Sequence, residues 1–354
     1  MNIYGIIMAG GGGTRFWPLS RKSTPKQLLN LSGKDVMVNE AIDRLASAAP
    51  RDNIFIVTNR NQKDKMQQVT AGRIVPDHIL SEPSARNTAA CIGYAAIKLL
   101  KTYGDGIMVI TPSDAYIKNN AAFTQTLNRA IKGAEEGEHL VTIGIEPTFP
   151  ATGYGYIQYE ESKNEAKPVK RFVEKPSFER AVQYLAEGGY VWNSGMFIWK
   201  ISVILEQFRL YLPDIYEDLM KIGEKIGLSE EEETLSRIYP EIRSVSVDVG
   251  IMEKAQDILV VPGEFGWSDV GSWDMLGVLH SKDEGGNVSV GNVVQIDAKD
   301  SVFYSSGKLV AAVGVENLIV VETPDAVLVC PKDKAQDVKK MVDRLKSEGK
   351  EELL

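Results

Sequence analysis

The sequence opens with a short apolar run that leads directly into four consecutive glycines, and this combination limits the folds open to the chain. The run covers residues 3–8, and the glycines are Gly10 to Gly13. An apolar run that ends in glycine is typical of a buried β-strand followed by a loop. Glycine lets backbone N–H groups converge on one point, with no side chain to keep a bulky anion away. The stretch therefore predicts a first strand whose loop binds phosphate groups.

Positively charged residues follow the glycines. Arg15 comes almost at once, and Lys26 lies a little further along. An arginine can donate two hydrogen bonds to phosphate oxygens, and a lysine provides a mobile point charge. The familiar motifs do not match, because a dinucleotide fingerprint starting at Gly11 would require glycine at Phe16, and an NTPase phosphate loop would require Gly-Lys-Ser or Gly-Lys-Thr. A turn without a ligand is the alternative, but two cations and the Trp-Pro pair at 17–18 favour a triphosphate site.

The charge of the chain argues against a nucleic-acid partner. The net formal charge is −8. The basic residues Arg15, Arg21, Lys22 and Lys26 form a local cluster, which fits a small polyanion better than a polymer. The two cysteines lie far apart in sequence and provide neither a disulfide framework nor a metal-binding spacing.

Nothing in the sequence indicates a membrane anchor or a leader. No apolar run reaches the length that a bilayer requires, and the N-terminus enters a strand without a signal peptide. We therefore predict a cytoplasmic protein that does not bind membranes. The 354 residues, of which 44% are hydrophobic and 25% charged, suffice for one large globular domain and a small one.

The spacing of apolar runs predicts an α/β fold. Strands alternate with helices through the first part of the chain, which indicates a mainly parallel sheet covered on both faces, with loops after the strands meeting at one edge. From about Gly285, short strands at even spacing precede a charged helix at 335–346. We predict a Rossmann-like domain with a mixed, mainly parallel sheet over residues 1–284. Residues 285–354 would form a β-solenoid-like module with a terminal helix, used for packing or oligomerisation.

Two acidic residues are candidate metal ligands. Asp114 follows the strand predicted at 107–110, and Asp269 lies among glycines and aromatic residues at 266–273. A bound triphosphate needs Mg²⁺ to neutralise its charge, and a carboxylate near the glycine loop is a natural ligand. Each aspartate could instead cap a helix. The residues alone leave both interpretations open.

Two further segments contain polar groups whose role the residues alone do not decide. In the segment 82–89, Asn87 could be a plain helix cap and Arg86 a surface charge, or the segment could contact a purine base. In the segment 171–176, Glu174 and Lys175 are adjacent opposite charges. Exposed pairs of this kind usually contribute only ~0.2–1 kcal/mol.

The glycine segment resembles the signature loop of the sugar-nucleotide pyrophosphorylases. The resemblance rests on Gly-Gly-Gly-Gly-Thr-Arg-Phe-Trp-Pro-Leu-Ser-Arg at 10–21 and Pro-Lys-Gln at 25–27. The Trp-Pro-Leu-Ser-Arg portion is similar to the mannose-1-phosphate guanylyltransferase branch. That family usually has Ser at Gly12, Leu at Phe16 and Pro at Ala90, and the two departures in the loop remove no phosphate ligand. The other segments of the family pattern follow in the same order, which makes the resemblance specific.

The resemblance implies roles for individual residues. Arg15 and Lys26 would be catalytic, and Asp114 and Asp269 would hold Mg²⁺. The residues that it implies for nucleotide binding are Ala9, Gly10, Gly11, Gly12, Gly13, Thr14, Glu82, Pro83, Asn87 and Ser113. The residues that it implies for binding the sugar phosphate are Gly155, Glu174, Lys175, Asn193 and Asp269.

The resemblance also implies a reaction, in which GMP is transferred from GTP to α-D-mannose 1-phosphate to give GDP-mannose and pyrophosphate. A sugar 1-phosphate is already an anion near neutral pH, so it needs positioning and charge cancellation rather than a general base. A homodimer formed through the C-terminal module is expected. Some relatives include a cupin-type isomerase domain, for which the sequence has no room, so we expect no phosphomannose isomerase activity.

There are two alternatives to this function. One is a pyrophosphorylase for another pair, such as glucose 1-phosphate with UTP or dTTP. The other is a catalytically silent subunit that senses nucleotides, which the presence of Arg15, Lys26, Asp114 and Asp269 argues against.

Overall fold

The structure is a computed structural model that describes residues 1–354. Its first eleven strands are β1 (Ile3–Ala9), β2 (Ile54–Asn59), β3 (Ile79–Glu82), β4 (Ile107–Pro112), β5 (Tyr116–Ile117), β6 (Leu140–Ile145), β7 (Tyr156–Tyr159), β8 (Lys167–Val173), β9 (Tyr190–Lys200), β10 (Ile258–Gly263) and β11 (Trp267–Ser268). The accompanying helices are α1 (Met37–Leu45), α2 (Lys63–Val69), α3 (Asn87–Tyr103), α4 (Asn120–Glu135), α5 (Phe178–Glu187), α6 (Ile201–Tyr211), α7 (Pro213–Gly223), α8 (Glu231–Ile238) and α9 (Leu276–Leu279).

Nine of these strands form one sheet in the order β3-β2-β1-β4-β9-β6-β10-β8-β7. Strands β1 to β4, β6, β7 and β10 run in one direction, and β8 and β9 run in the other. The prediction of a mixed, mainly parallel sheet is therefore confirmed. The strand β10, which lies between β6 and β8 in the sheet, was not predicted.

The sheet is covered by helices whose small residues allow close packing. The helix α3 is rich in alanine and places Ala89, Ile92 and Leu99 in the hydrophobic core. A Cβ atom at Gly93 would lie 2.4 Å from the Leu219 side chain, so only glycine allows α3 and α7 to approach this closely. None of the helices is long and apolar enough to cross a membrane.

The C-terminal strands form short parallel ladders, as predicted for a β-solenoid-like module. The registers Val288 to Val302 and Val302 to Ile319 align successive turns, and their apolar side chains are buried. A second ladder pairs β13 with β15, and the last strand closes the stack in antiparallel fashion. The elements are β12 (Val288–Val290), β13 (Val293–Ile296), β14 (Val302–Ser305), β15 (Val310–Val313), β16 (Leu318–Glu322), β17 (Val327–Pro331) and α10 (Val338–Ser347).

The chain divides into two compact units. The first contains Met1–Gly10, Ala41–Ser113 and Ile117–Trp267, and the second contains Gly11–Glu40, Asp114–Tyr116 and Ser268–Leu354. Most of the glycine loop and both candidate metal ligands thus belong to the unit that includes the C-terminal strands. The predicted domain boundary between residues 284 and 285 stays a prediction.

Candidate active site

The glycine loop begins where β1 ends, and its last glycine cannot be replaced. Gly13 has a φ of 60°, in the left-handed region. A Cβ atom at this position would lie 2.2 Å from Cβ of Lys26. The Gly13 carbonyl accepts hydrogen bonds from the Phe16 backbone N–H at 3.0 Å and from the Ser20 hydroxyl at 2.8 Å. Both backbone conformation and space therefore require glycine here.

The preceding glycines are open, and so is the arginine that follows. A Cβ atom at Gly11 would meet nothing within 4 Å, and one at Gly12 would come no closer than 3.9 Å to any atom. Thr14 and Arg15 are exposed, and the Arg15 guanidinium makes no hydrogen bond or ion pair within the protein. Contacts inside the protein do not explain glycine at position 11. The loop thus leaves bare backbone and one uncompensated cation accessible.

Lys26 brings three of the predicted site residues together in the second unit. Its side chain is buried, with 5% exposed, and its Nζ donates to Oδ2 of Asp114 at 2.8 Å. The same Nζ donates to the backbone carbonyl of Asp269 at 2.6 Å. It also lies 5.7 Å from the centre of the Phe16 ring. The lysine therefore fixes both aspartates beside one another.

The two aspartates provide oxygen donors of the kind that a magnesium ion completed by substrate and water would use. The Asp114 side chain is 41% exposed, so oxygen lone pairs remain accessible beyond the bond to Lys26. The Asp269 carboxylate lies against Gly271, where a Cβ atom would be 3.0 Å from Oδ2. No group of three or more His, Cys, Asp or Glu residues could hold a metal. Mg²⁺ characteristically takes one or two carboxylates plus phosphates and waters, rather than a cage made only of protein.

The two remaining basic residues of the predicted cluster bind protein groups instead. Arg21 forms an ion pair with Asp325 at 2.7 Å and donates to the Leu353 carbonyl, and Lys22 pairs with Glu351. These contacts attach the signature segment to the C-terminal part of the second unit. The pairing of Arg21 and Lys22 with acids of the protein was not predicted from the sequence.

Trp17 strengthens the same attachment. Its indole Nε1 donates to the Leu353 carbonyl at 2.8 Å, and its own carbonyl accepts from Nε1 of Trp273 at 3.0 Å. Phe16 packs on Trp273 with ring centres 5.2 Å apart. The loop is thus anchored on one side by the hydrophobic core of the second unit, while the glycines and Arg15 stay exposed.

In the first unit, Glu82 is a buried acid at the end of β3. Only 5% of the residue is exposed, and the Tyr239 hydroxyl donates to its Oε1. A Cβ atom at Gly10 would lie 3.2 Å from the other oxygen, Oε2. Burial raises the pKa of Glu82 to about 7, although the bond from Tyr239 acts in the opposite direction. Tyr239 belongs to no sequence motif and was not predicted.

The other predicted nucleotide-binding residues lie at strand and helix ends of the first unit. Asn87 is exposed with a φ of 66°, and its Oδ1 accepts from the Thr88 backbone N–H at 2.8 Å, but it is the first residue of α3, and no side-chain hydrogen bond caps that helix. Ala9 is the buried last residue of β1, Ser113 is buried directly after the neighbouring parallel strand β4, and Ser113 donates its N–H to the Met8 carbonyl at 3.0 Å. Pro83 is half-buried.

Three of the residues predicted to bind the sugar lie together in the first unit. A Cβ atom at Gly155 would be 2.7 Å from Oε2 of Glu174 and 3.2 Å from Cβ of Asn193. The Asn193 backbone N–H donates to the Gly155 carbonyl at 2.8 Å. Gly155 thus lets the other two side chains approach the backbone closely. Lys175 is exposed, with a φ of 45°, and its Nζ lies 2.6 Å from Oε1 of Glu174.

A further acid, which was not predicted from the sequence, lies beside these residues. Asp248 accepts a hydrogen bond from Nδ2 of Asn193 at 2.8 Å. Burial and the charge of Glu174 raise the pKa of Asp248 to about 6, and the Asn193 bond and the Lys175 charge act in the opposite direction. The residue belongs to no sequence motif and is recognisable only from this contact.

Comparisons with known proteins show the family of the chain. The family described as Nucleotidyl transferase matches residues 4–285, and the MannoseP isomerase/GMP-like beta-helix domain matches residues 291–345. The chain is 42% identical to the xanthan biosynthesis protein XanB of Xanthomonas campestris pv. campestris, over 98% of this chain and 74% of that protein. It is 40% identical to a mannose-1-phosphate guanylyltransferase of Klebsiella pneumoniae, over 98% and 74%.

A solved structure is similar along nearly the whole chain. It is described as a mannose-1-phosphate geranyltransferase from Thermus thermophilus and has a TM-score of 0.89 and 35% sequence identity. The similarity covers 98% of this chain and all of that one. With its nine-stranded mixed sheet, its glycine loop and its C-terminal β-helix, the chain belongs to the nucleotidyl transferase family of enzymes.

Proposed function

We propose that the protein transfers GMP from GTP to α-D-mannose 1-phosphate, forming GDP-mannose and pyrophosphate. The main support is the contact set of Lys26, which joins Asp114 and Asp269 next to a glycine loop whose backbone and Arg15 are accessible. The printed names of relatives add the substrate class, since one of them is a mannose-1-phosphate guanylyltransferase.

The proposed reaction is an in-line displacement at the α-phosphorus of GTP. A phosphate oxygen of mannose 1-phosphate forms a new O–P bond, and the bond from the α-phosphorus to the α,β-bridging oxygen breaks. The electron pair of that bond leaves with pyrophosphate. Arg15 and the N–H groups of Gly11 and Gly12 would stabilise the charge on the leaving phosphates. Lys26 donates its three N–H groups to Asp114 and Asp269, so it would bridge phosphates by exchanging one of these bonds for a phosphate oxygen.

Asp114 and Asp269 would hold the magnesium ion. When bound, the ion would neutralise phosphate charge and make pyrophosphate a better leaving group. Lys26 keeps these two residues in place, because its buried ammonium is bonded to a group of each. The protein would thus supply a fixed pair of oxygen ligands and leave the remaining positions to the substrates.

The first unit would supply substrate selection. An ionised Glu82 could accept hydrogen bonds from N–H groups of the guanine ring, with Pro83 and Asn87 beside it in sequence. Lys175 would contact the phosphate of the sugar, and Glu174 its hydroxyl groups. Since Lys175 is exposed, it can change partner from Glu174 to a phosphate at little cost.

The experiment that tests the proposal measures pyrophosphate release over a grid of four nucleoside triphosphates and several sugar 1-phosphates, with Mg²⁺ present. We expect the highest kcat/KM for GTP with mannose 1-phosphate. If kcat/KM were higher for glucose 1-phosphate with UTP or dTTP, those substrates would replace the proposed pair. No release anywhere on the grid would favour a nucleotide-sensing subunit. The homodimer is a separate proposal, which the molar mass in solution tests, and the cytoplasmic location stays a prediction.

A single substitution tests the role of Arg15. Because this side chain is exposed and has no partner in the protein, Arg15→Ala should leave the melting temperature unchanged and lower kcat by roughly 10²–10³-fold. Lys22→Ala is the matched control, since that lysine is an exposed neighbour paired with Glu351. An Arg15→Ala enzyme within about twofold of the parent rate would refute the role.

A further inference from the structure

The amide of Asn193 is partly used within the protein. Its Oδ1 accepts from the Gly195 backbone N–H at 3.2 Å and lies 3.3 Å from the Thr142 hydroxyl, whose single proton is closer to the Met196 carbonyl, at 3.0 Å. Its Nδ2 donates to Oδ1 of Asp248 at 2.8 Å, and only 9% of the residue is exposed. An amide can accept two hydrogen bonds and donate two. Asn193 could therefore offer a sugar one N–H and one acceptor site, because its other N–H and its other acceptor site are used by Asp248 and Gly195.

Unlike the Asn193 amide, the Asp248 carboxylate keeps most of its capacity to accept hydrogen bonds. It is half-buried, and the bond from Asn193 is the one hydrogen bond that its carboxylate accepts from another side chain. An ionised carboxylate offers about four acceptor sites. Asn193 therefore links this carboxylate to the place where Gly155, Glu174 and Asn193 meet.

The surroundings of Asp248 favour a ligand that donates hydrogen bonds. The acid is close enough to Glu174 to be affected by its charge, and the nearby cation, Lys175, is itself bonded to Glu174. Two carboxylates near each other without a cation between them repel one another. Hydroxyl groups of a sugar are neutral donors, and they would stabilise both acids at once.

The segment that contains Asp248 is fixed in place. The Val247 backbone N–H donates to the Thr88 hydroxyl at 2.9 Å, and the Val245 carbonyl accepts from the Ala89 N–H at 3.2 Å. Both partners belong to the first turn of α3. Asp248 then begins the short π-helix Asp248–Met252. A carboxylate held in this way is organised before a ligand arrives, which favours binding.

We propose that Asp248 binds a ring hydroxyl group of the sugar 1-phosphate directly and that Asn193 is a positioning residue for it. The inference rests on the proposed function, because it assigns the group that reads the sugar in that reaction. It differs from the roles expected from the sequence, where Asn193 was the residue in contact with the sugar. Asp248 would add a specificity-determining contact to those of Glu174 and Lys175.

The test combines Asp248→Asn with mannose 1-phosphates that lack one hydroxyl group at a time. For the complete sugar we expect kcat/KM to fall about 10- to 100-fold, with KM for GTP unchanged to about twofold. One deoxy sugar should be a poor substrate for the parent enzyme, by a similar factor. The variant should not distinguish that deoxy sugar from the complete one, whereas the other hydroxyl groups should matter equally to both enzymes.

Two further variants complete the test. Asn193→Ala should produce the same hydroxyl-selective loss. Combining it with Asp248→Asn should add little, because both changes disrupt the same hydrogen-bonded pair. Asp257→Asn is the control, since Asp257 is an exposed aspartate later in the chain. If Asn193→Ala fails to fold, the result with Asp248→Asn decides alone.

The outcomes separate this inference from the proposed function. An active parent enzyme together with an Asp248→Asn variant that shows no hydroxyl-selective loss would overturn the inference alone. If another sugar 1-phosphate is the substrate, the deoxy series of that sugar replaces the mannose series. A parent enzyme that uses no sugar 1-phosphate would overturn both.

Discussion

Two regions of the molecule treat buried charge in opposite ways. In the second unit, the buried ammonium of Lys26 is matched by the Asp114 carboxylate and by backbone carbonyl groups. In the first unit, Glu82 and Asp248 receive hydrogen bonds from side chains that are neutral. Burial raises their pKa values to about 7 and about 6, because these hydrogen bonds only partly oppose it. One region is therefore compensated within the protein, while the other leaves its acids to be compensated by a ligand.

This difference matches two tasks. Phosphates need strong positive charge at fixed positions, which a paired lysine and an exposed arginine supply. A base or a sugar is recognised through neutral N–H and O–H donors, which an unpaired carboxylate can accept. A cation placed beside Glu82 or Asp248 would compete with those donors and weaken selection.

The largest expected effect comes from removing the charge of Lys26, which is compensated within the protein. Lys26→Met should lower kcat/KM by roughly 10³-fold, because it removes a phosphate-binding charge and releases Asp114 and Asp269 together. Initial rates of pyrophosphate release measure the loss. Lys98→Met is the control, since Lys98 is a partly buried lysine that is paired with Glu231 in the first unit. A Lys26→Met enzyme that keeps a tenth of the parent activity would contradict this contrast between the two regions.

The second prediction concerns Glu82, an acid that no cation compensates, and the quantity measured is the free energy of unfolding. Glu82 is protonated more readily in the folded protein, with a pKa of about 7 against its ordinary 4.5. The contribution of Glu82 to the free energy of unfolding is therefore fully present below pH 4.5 and is lost as the pH rises through about 7. At pH 8.5, Glu82→Gln should raise the free energy of unfolding by up to roughly 3 kcal/mol, and near pH 4 the difference should vanish. Denaturant titrations at both pH values measure it.

Glu322 gives the matched case of opposite sign. Burial acts to raise the pKa of Glu322, but the backbone N–H groups of Lys308 and Gly307 and the Ser305 hydroxyl outweigh it, so the pKa lies below its ordinary value. Glu322→Gln should therefore lower the free energy of unfolding near pH 7, with a difference that shrinks as the pH falls below 4.5. If both glutamine variants changed stability with the same sign, the contrast between the two acids would be wrong.

The smallest expected effect tests the open backbone of the loop. Gly11→Ala should lower kcat/KM about 10- to 100-fold while changing the free energy of unfolding by less than about 0.5 kcal/mol, because the added methyl group meets only the space proposed for phosphates. Gly307→Ala is the control, since a Cβ atom there also meets nothing within 4 Å. Full activity of the Gly11→Ala enzyme would show that nothing approaches this backbone closely.

The parts of the site that lie within short segments could be predicted from the sequence. Gly13, Arg15 and Lys26 follow one another in a single motif, and Asp114 follows a predicted strand. The alternation of strands and helices likewise gave the mixed sheet, because hydrophobic periodicity is a local property of the chain. The even spacing of short strands predicted the β-solenoid-like module for the same reason.

The rest depends on contacts between distant residues, which no local pattern contains. Tyr239 is 157 positions from Glu82, and Asp248 is 55 from Asn193. The ion pair of Arg21 was missed for the same reason, since its partner Asp325 lies 304 positions away. A side chain of ordinary type outside any motif acquires its role only through packing, so a single sequence could not reveal it.

The bond between the Trp17 indole and the Leu353 carbonyl has a consequence for protein synthesis. The two residues are 336 positions apart. At about 5–20 residues per second, a ribosome needs roughly 20 to 70 s to translate that interval. During this time the nascent phosphate loop lacks one of its anchors, so a newly made chain should acquire the finished loop only after Leu353 has emerged from the ribosome.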